Sequence, residues 1–434
     1  MSTRQAAFIG VGAMVGAGIF SLLGTAGEVA GAAVWLSFVL AGIIAALQGY
    51  SFARLGARYP SGAGLLEYIN RSFGIGHTGT VIAWLGYASN GIVTAMVAVS
   101  FGSYASSAFT GGDDGWVKPF AVILVVAMTL LNIAGSTFVA RVQSLVVFVV
   151  VGILAMFAIV TIFNVDWSLL APSGYPSIRH IVSSVALTFF AFLGFGIVTF
   201  TARDLKDPAS QLPRAMTIAI GVAAVVYVGV SIGVFGTLTV PEVIEAGPTA
   251  IAVAAQPSLG DLGYWLMTIT ALFATAGATN AGLYPAAGLS EELARTGQFP
   301  AVMGRMVGGR ANVGLLIVAV AVAVLAIGYD LSAIASIGSA VALAVFTLVS
   351  IGHLRIRSET GANLWLLLAI GTAGISLLVF VFTTLIQEQA SILALIVILL
   401  MSIGLDQWWS RTRPGPSTRR RPDPVSVQRL NRVR

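Results

Sequence analysis

Two short glycine-interrupted stretches carry the most chemical information in this chain. Gly16-Ala17-Gly18-Ile19-Phe20 and Gly194-Phe195-Gly196-Ile197-Val198 both read G-x-G-I followed by a hydrophobic residue, and both lie inside long apolar runs. Glycine weakens a helix where it stands, and unwound backbone at membrane depth is tolerated only where it lines a protein cavity. Freed N–H groups at the start of a half-helix suit an anionic group, and freed carbonyls suit a cation. The chemistry on offer is capture of a small solute by peptide groups. The plainer alternative is close helix packing, for which Gly12-x-x-x-Gly16 has the right spacing. Two such pairs at corresponding places favour a site.

Other polar residues in apolar surroundings add to this. Thr275 and Thr279 are four apart, hence on one helical face, with Asn280 beside them. Together with carbonyls of Ala13 and Gly16 they make a candidate sodium site. Otherwise their hydroxyls bond back to the preceding turn. Asn90 is a further candidate for the cavity wall. Cysteine is absent, and His77, His180 and His353 are too far apart for metal-ligand spacing, so neither a thiol nucleophile nor a histidine metal centre is expected. An enzyme would need a cluster of titratable groups facing a cavity, and the apolar runs offer none. Gly10-x-Gly12 lacks the preceding strand of a dinucleotide loop. No cofactor is expected. The coupling ion, sodium or proton, stays open, because no titratable group is evident deep in the apolar runs.

These residues need elements to hold them, and composition says which. The chain has 434 residues, 57% hydrophobic and only 9% charged, against roughly 25% charged for a soluble domain. Lipid, not water, must cover most of its outside. A charge at mid-bilayer costs about 2.5–3.5 kcal/mol, so stretches without Asp, Glu, Lys or Arg mark spans. They run 5–27, 29–53, 72–112, 119–140, 142–165, 180–202, 215–241, 262–290, 311–329, 331–354, 360–387 and 389–405, numbered here as spans 1–12. Each is long enough for one crossing, which takes about 20 helical residues. Glu28 and Arg141 are thin separators, predicting tight hairpins. Thr110, Gly111 and Gly112 read as a loop. No alternation of period two suggests a barrel. The first apolar run lacks an A-x-A-like cleavage site, which predicts a retained helix.

With the N-terminus inside, Arg54, Arg58, Arg71, Arg141, Arg203 and Arg214 fall in inner loops, while outer loops keep only Lys118 and Arg179. That is the positive-inside pattern. It predicts cytoplasmic N- and C-termini and a multi-pass protein of the plasma (cytoplasmic) membrane. The tail 411–434, with Arg419, Arg420 and Arg421 among Pro and Ser, is expected to be disordered and to touch anionic lipid, not nucleic acid. Spans 1 and 6 are five apart, an odd offset, so they cross in opposite directions. Paired glycine-interrupted spans in opposed halves point to a transporter site between inverted repeats. A cavity without fixed charge suits a neutral or zwitterionic solute, so a small neutral amino acid is favoured over a polyamine. The alternative is an ion or amine permease, or a channel-like protein, on the same scaffold, although no selectivity filter or charged ring is evident.

At the level of motifs the chain resembles the amino acid–polyamine–organocation (APC) superfamily over nearly its whole length. Gly16-Ala17-Gly18-Ile19-Phe20 looks like that family's span 1 break, and YSFARLGARYPSGAGLLEY (50–68) is similar to its signature after span 2. FFAFLGFGIVTFTARDLKDPASQLPRAM (189–216) resembles its span 6 and exit, and ARTGQFP (294–300) the motif after span 8. The resemblance implies a LeuT-like, all-α membrane fold of about 12 helices. Residues 1–165 would form the first inverted repeat and 166–357 the second, with 358–410 as two extra helices. It further implies that Gly16, Ala17, Gly18 and Ile19 present amides to a carboxylate. Gly194 and Phe195 would offer carbonyls to an amino group, and Phe190 would be an aromatic gate. Two departures stand out: Gly196 replaces an acidic residue found in many members, and Val150 stands about where some proton-coupled relatives carry a lysine.

Overall fold

The computed structural model describes residues 1–61, 64–74, 76–134, 137–307, 311–385 and 389–412. The chain is built almost wholly of helices. In order they are α1 (Thr3–Ala17), α2 (Ile19–Ala30), α3 (Val34–Arg58), α4 (Leu65–Phe73), α5 (His77–Phe109), α6 (Val117–Ala134), α7 (Thr137–Ile162), α8 (Ile178–Phe190) and α9 (Phe195–Val198). They continue as α10 (Pro208–Phe235), α11 (Val240–Ala246), α12 (Ala250–Arg295), α13 (Val313–Gly328), α14 (Leu331–Arg355), α15 (Arg357–Thr360), α16 (Leu364–Leu385) and α17 (Gln389–Thr412). Two residue pairs, β1 (Met306–Val307) and β2 (Ala311–Asn312), form a small antiparallel ladder.

Helices dominate because a backbone in hydrocarbon must satisfy its own N–H and C=O groups. Among the described residues, eight helical segments are long and apolar enough to cross a bilayer, and Val313–Gly328 and Leu364–Val379 are shorter apolar helices. The outer surface is itself apolar: Ile123, Leu130, Phe148, Val225, Val320 and Trp365 are exposed. The interior is lined by small residues, and helices approach closely where glycine stands at a seam. At Gly102 on α5, an added methyl would strike the backbone carbonyl of Val117, the first residue of α6.

Each charge-free stretch falls on helical structure, but three boundaries differ from the sequence reading. Arg141 does not mark a hairpin: α6 ends at Ala134 and α7 begins at Thr137, so Arg141 lies within the next helix, and a lone arginine is a poor turn signal. The connection before span 8 is also not plain loop. It holds α11 and the first ten residues of α12, which bends at Gly260 (φ 63°, ψ −160°), a backbone shape that needs glycine. Arg411 closes α17, and residues 413–434 of the expected basic tail lie outside the described residues. The Thr110–Gly112 reading holds, since α5 stops at Phe109 and both glycines have positive φ.

Two substitutions on α5 separate seam glycines from spacer glycines. Gly102→Ala should overpack the α5–α6 contact and cost about 1–3 kcal/mol. Gly91→Ala, with nothing within 4 Å of the added methyl, should be neutral or mildly stabilising. Thermal unfolding in detergent measures both.

Candidate functional site

Spans 1 and 6 are both interrupted where their glycines lie. In span 1 Gly18 alone (φ −97°, ψ −73°) separates α1 from α2, its N–H still donating to Met14 O at 2.9 Å. Span 6 departs further. After Phe190 the chain tightens into i→i+3 turns: Leu193 N–H donates to Phe190 O (3.1 Å), Phe195 to Phe192 O (3.0 Å), Gly196 to Leu193 O (3.1 Å) and Ile197 to Gly194 O (3.0 Å). The Tyr227 hydroxyl donates to Ala191 O at 3.0 Å. The break is a tightening, not an unwinding, so the Gly194 carbonyl is engaged within its own segment. Mid-helix 3₁₀ turns of this kind often mark hinges.

The glycines let the two interrupted spans touch backbone to backbone. A methyl on Gly194 would lie 2.6 Å from the Ala13 carbonyl carbon and the Met14 nitrogen. One on Gly18 would strike Ala191 and come within 2.8 Å of the Tyr227 hydroxyl. Gly16 meets α12 instead, where a methyl would strike Ala274 O and lie 2.6 Å from Ala278. The packing reading therefore holds at all three glycines.

Beside this seam lies a cavity of about 930 Å³, its open mouth included. Ala13, Gly194, Gly196 and Ile197 form its wall at the breaks, with Asn90 and Thr94 facing from α5. Gly282 and Ala278 of α12 and Phe346 of α14 complete the wall, and Leu65 and Ile69 of α4 lie toward the arginine-rich side. No charged side chain lines it among the described residues. Asn90 Nδ2 donates to Gly282 O at 2.8 Å, and Thr94 Oγ1 to Asn90 O at 2.7 Å. Gly196 is the open position: a methyl there meets only the Phe346 ring, at 3.4 Å. The rings of Phe52, Phe195 and Phe346 pack together with centroids 4.9–5.4 Å apart, stiffening one wall.

Of the residues singled out from sequence, Gly194, Gly196, Asn90 and Ala13 thus meet at one cavity. Gly16, Gly18 and Ile19 are buried away from it: Gly18 is pressed against Ala191 of span 6, and Gly16 against Ala274 and Ala278 of α12. Ala17 lies at the end of α1. Phe190 is buried against Gly338, where a methyl would lie 2.5 Å from its ring, and does not line the cavity. Thr275 Oγ1 donates to Ala271 O (2.6 Å) and Thr279 Oγ1 to Thr275 O (2.9 Å). Both hydroxyls of the candidate sodium set therefore bond to their own helix. Gly16 and Val150 border a second, small apolar space with Gly12 and Gly277.

The remaining motifs meet on the arginine-rich side. Gly64 (φ 51°) of the 50–68 stretch packs on span 6, where a methyl would lie 2.7 Å from Thr199 Oγ1 and 2.9 Å from the Phe200 ring. Asn70 of α4 and Gln298 exchange amide hydrogen bonds (3.1 and 2.9 Å), and Phe299 stacks on Trp84 at 3.6 Å. One correction to the sequence reading concerns titratable groups: His353, at the foot of span 10, is fully buried between Ser51 and Thr360.

The model of the amino acid permease family matches residues 1–407. The chain belongs to that family. It is similar to the inner membrane transport protein YbaT of Escherichia coli, 32% identical over 91% of this chain and 93% of that protein. An uncharacterised protein of Methanocaldococcus jannaschii is 32% identical over 84% of each. The mitochondrial cationic amino acid transporter 3 of Arabidopsis thaliana is 29% identical over 80% of this chain and 61% of its own length. The permease is a transporter of amino acids or related solutes, not an enzyme.

Gly194→Ala should drive a methyl into α1 and abolish solute uptake, whereas Gly196→Ala, beside open cavity, should keep it. Uptake into proteoliposomes by equal amounts of folded protein compares them. On the arginine-rich side, Gln298→Leu should leave the Asn70 amide unpaired and cost about 1–3 kcal/mol. The double variant Asn70→Leu/Gln298→Leu should regain part of that in detergent melts.

Proposed function

We propose that the permease is a secondary active transporter that moves a small neutral amino acid, or a related zwitterion, by alternating access. The observation that carries this reading is the uncharged cavity beside the seam of the two glycine-interrupted spans. Such sites at the midplane between inverted repeats are the common plan of carriers. Twelve crossings in two five-helix repeats plus two further helices fit the order of the helices, with Gly18 and the 3₁₀ segment of span 6 as the paired breaks. Both termini then face the cytoplasm, and the cavity, lined by α4 toward the arginine-rich side, corresponds to an inward-facing state. The seam of Gly18 with Ala191 and of Phe190 with Gly338 would hold the opposite side closed.

The absence of charge in the lining bears on the solute. A cation held out of water needs a carboxylate partner, and none lines the cavity among the described residues. The Arabidopsis relatives named as cationic amino acid transporters therefore suggest the solute family more than the charge. A neutral zwitterion needs only peptide groups, Asn90 and the apolar wall.

A thermal-shift screen of the purified protein against neutral, cationic and acidic amino acids and against amines tests this. A neutral amino acid at a hundredfold excess over its Kd should stabilise the protein by about 2.7 kcal/mol and then show saturable uptake in proteoliposomes. Stabilisation confined to lysine, arginine or polyamines would overturn the neutral assignment. Ion flux faster than a carrier turns over would overturn the carrier.

A further inference from the structure

Span 12 takes no part in the cavity: among the described residues, none of α17 lines it. Its inner end nevertheless reaches the turn that follows span 8. Trp409 Nε1 donates to Gly297 O at 2.9 Å. One turn earlier the buried Asp406 pairs with His77, the first residue of α5, at 2.7 Å. Gly297 has φ 75°, and the turn is also pinned from within. Its N–H donates to Ala294 O (3.1 Å), Phe299 N–H to Leu293 O (2.9 Å) and Thr296 Oγ1 to Gln298 Oε1 (3.0 Å). Three consecutive residues thus grip three different helices. Gly297 holds α17, Gln298 holds α4 through Asn70, and the Phe299 ring lies on Trp84 and edge-on to Tyr87 (5.3 Å) of α5.

Two of those grips end on the cavity. Tyr87 lines it, and Asn70 follows Ile69, which lines it with Leu65 and Leu66. α4 is clamped at both ends. Gly64 at its start lies against Thr199 and Phe200 of span 6, and Asn70 in its last turn is bonded to Gln298 at the exit of span 8. α4 therefore bridges span 6 and span 8 beside the inner mouth. Any shift of one span against the other strains this bridge, and its far end is only as firm as the Gly297 turn.

We propose that Trp409 is a positioning residue for transport, an inference that rests on the transporter reading above. Through Gly297 and Gln298 it seats α4 at the inner mouth, and so favours the inward-facing arrangement over its outward-facing counterpart. The solute never meets Trp409. A residue so placed leaves the contacts made inside the cavity alone and acts on the balance between the two states. Only a difference in interaction between two states can shift their populations. One hydrogen bond present in one state and absent from the other is worth about two- to tenfold in that balance. The His77–Asp406 pair works in the same direction, holding α17 where Trp409 can reach the turn.

The chain has no cysteine, so Ser89→Cys on the cavity wall gives the full-length protein a single reporter for a membrane-impermeant maleimide. Labelling in inside-out vesicles reports the inward-facing population, and labelling in right-side-out vesicles the outward-facing one. Their ratio measures the balance. Trp409→Phe keeps a ring and removes the N–H, and should raise the outer-to-inner ratio about two- to tenfold. Gln298→Leu should raise it too, and the double variant should fall short of the product of the two, because both act on one chain of contacts. A merely structural defect lowers both labelling rates together and leaves the ratio unmoved. An unchanged or lowered ratio in folded Trp409→Phe, or effects of the two variants that simply multiply, would overturn the proposal and leave the transporter reading standing. Labelling from one side only, in every variant, would remove the alternating-access reading and this inference with it. If Trp409→Phe fails to fold, His77→Ala, a change at an exposed residue, should raise the ratio in the same way; an unmoved ratio counts against the proposal.

Discussion

The closeness of two backbones governs this molecule. Span 6 lies so near span 1 that the space a methyl on Gly194 would take is already filled by Ala13 and Met14, and Gly18 repeats the arrangement against Ala191. Close approach of this kind is worth much in a membrane, where helices gain nothing by hiding apolar surface from lipid and associate through packing instead. It also fixes where a cavity can exist. On one side of the seam Phe190 fills the groove over Gly338; on the other the spans diverge and Gly196 and Asn90 face open space.

The two sides of the seam are held by different forces. Away from the arginine-rich end the contacts are dry and small-residue: Gly24 against the Gly247 carbonyl and Gly27 against the Phe235 ring. Toward the arginine-rich end they are polar and exchangeable: the Asn70–Gln298 amide pair, the Trp409 Nε1 bond to Gly297 O (2.9 Å) and the His77–Asp406 pair (2.7 Å). Amide pairs and surface ion pairs lose little when water replaces the partner. Dry packing loses all of its dispersion contact when opened. An opening that begins at the polar end therefore meets the smaller resistance, which agrees with the cavity lining extending toward α4.

The sequence made the membrane class and the helical runs legible because one rule, the cost of charge in hydrocarbon, applies along the whole chain. It also marked Gly194 and Gly196, since glycine inside an apolar helix is locally unfavourable and asks for a reason. It did not reveal which glycines face open space and which face backbone. That depends on the angle at which two distant spans meet, so Gly16 and Gly18 read like Gly196 yet lie buried. Arg141 misled because a single arginine fits within a helix near its end. His353 was passed over because its partners, Ser51 and Thr360, come from α3 and α15, and hydroxyls in apolar runs carry no signature of what they contact. The Asn70–Gln298 pair was hidden in the same way, 228 residues apart.

The tightened segment of span 6 resolves a conflict built into any carrier. A hinge in hydrocarbon must bend, yet each peptide group it releases costs several kcal/mol if left unpaired. An unwound loop would meet this only while a solute is bound to it. A segment wound in i→i+3 turns meets it throughout, because Phe190, Phe192, Leu193 and Gly194 carbonyls each keep an N–H partner three residues on, and the Ala191 carbonyl takes the Tyr227 hydroxyl. Relaxing a 3₁₀ turn toward an α-turn exchanges one acceptor for its neighbour and shortens the rise from about 2.0 to about 1.5 Å per residue. In the proposed alternating-access cycle, movement would then come from a change of winding with few groups left bare. The absence of a side chain at Gly196 leaves room for that change.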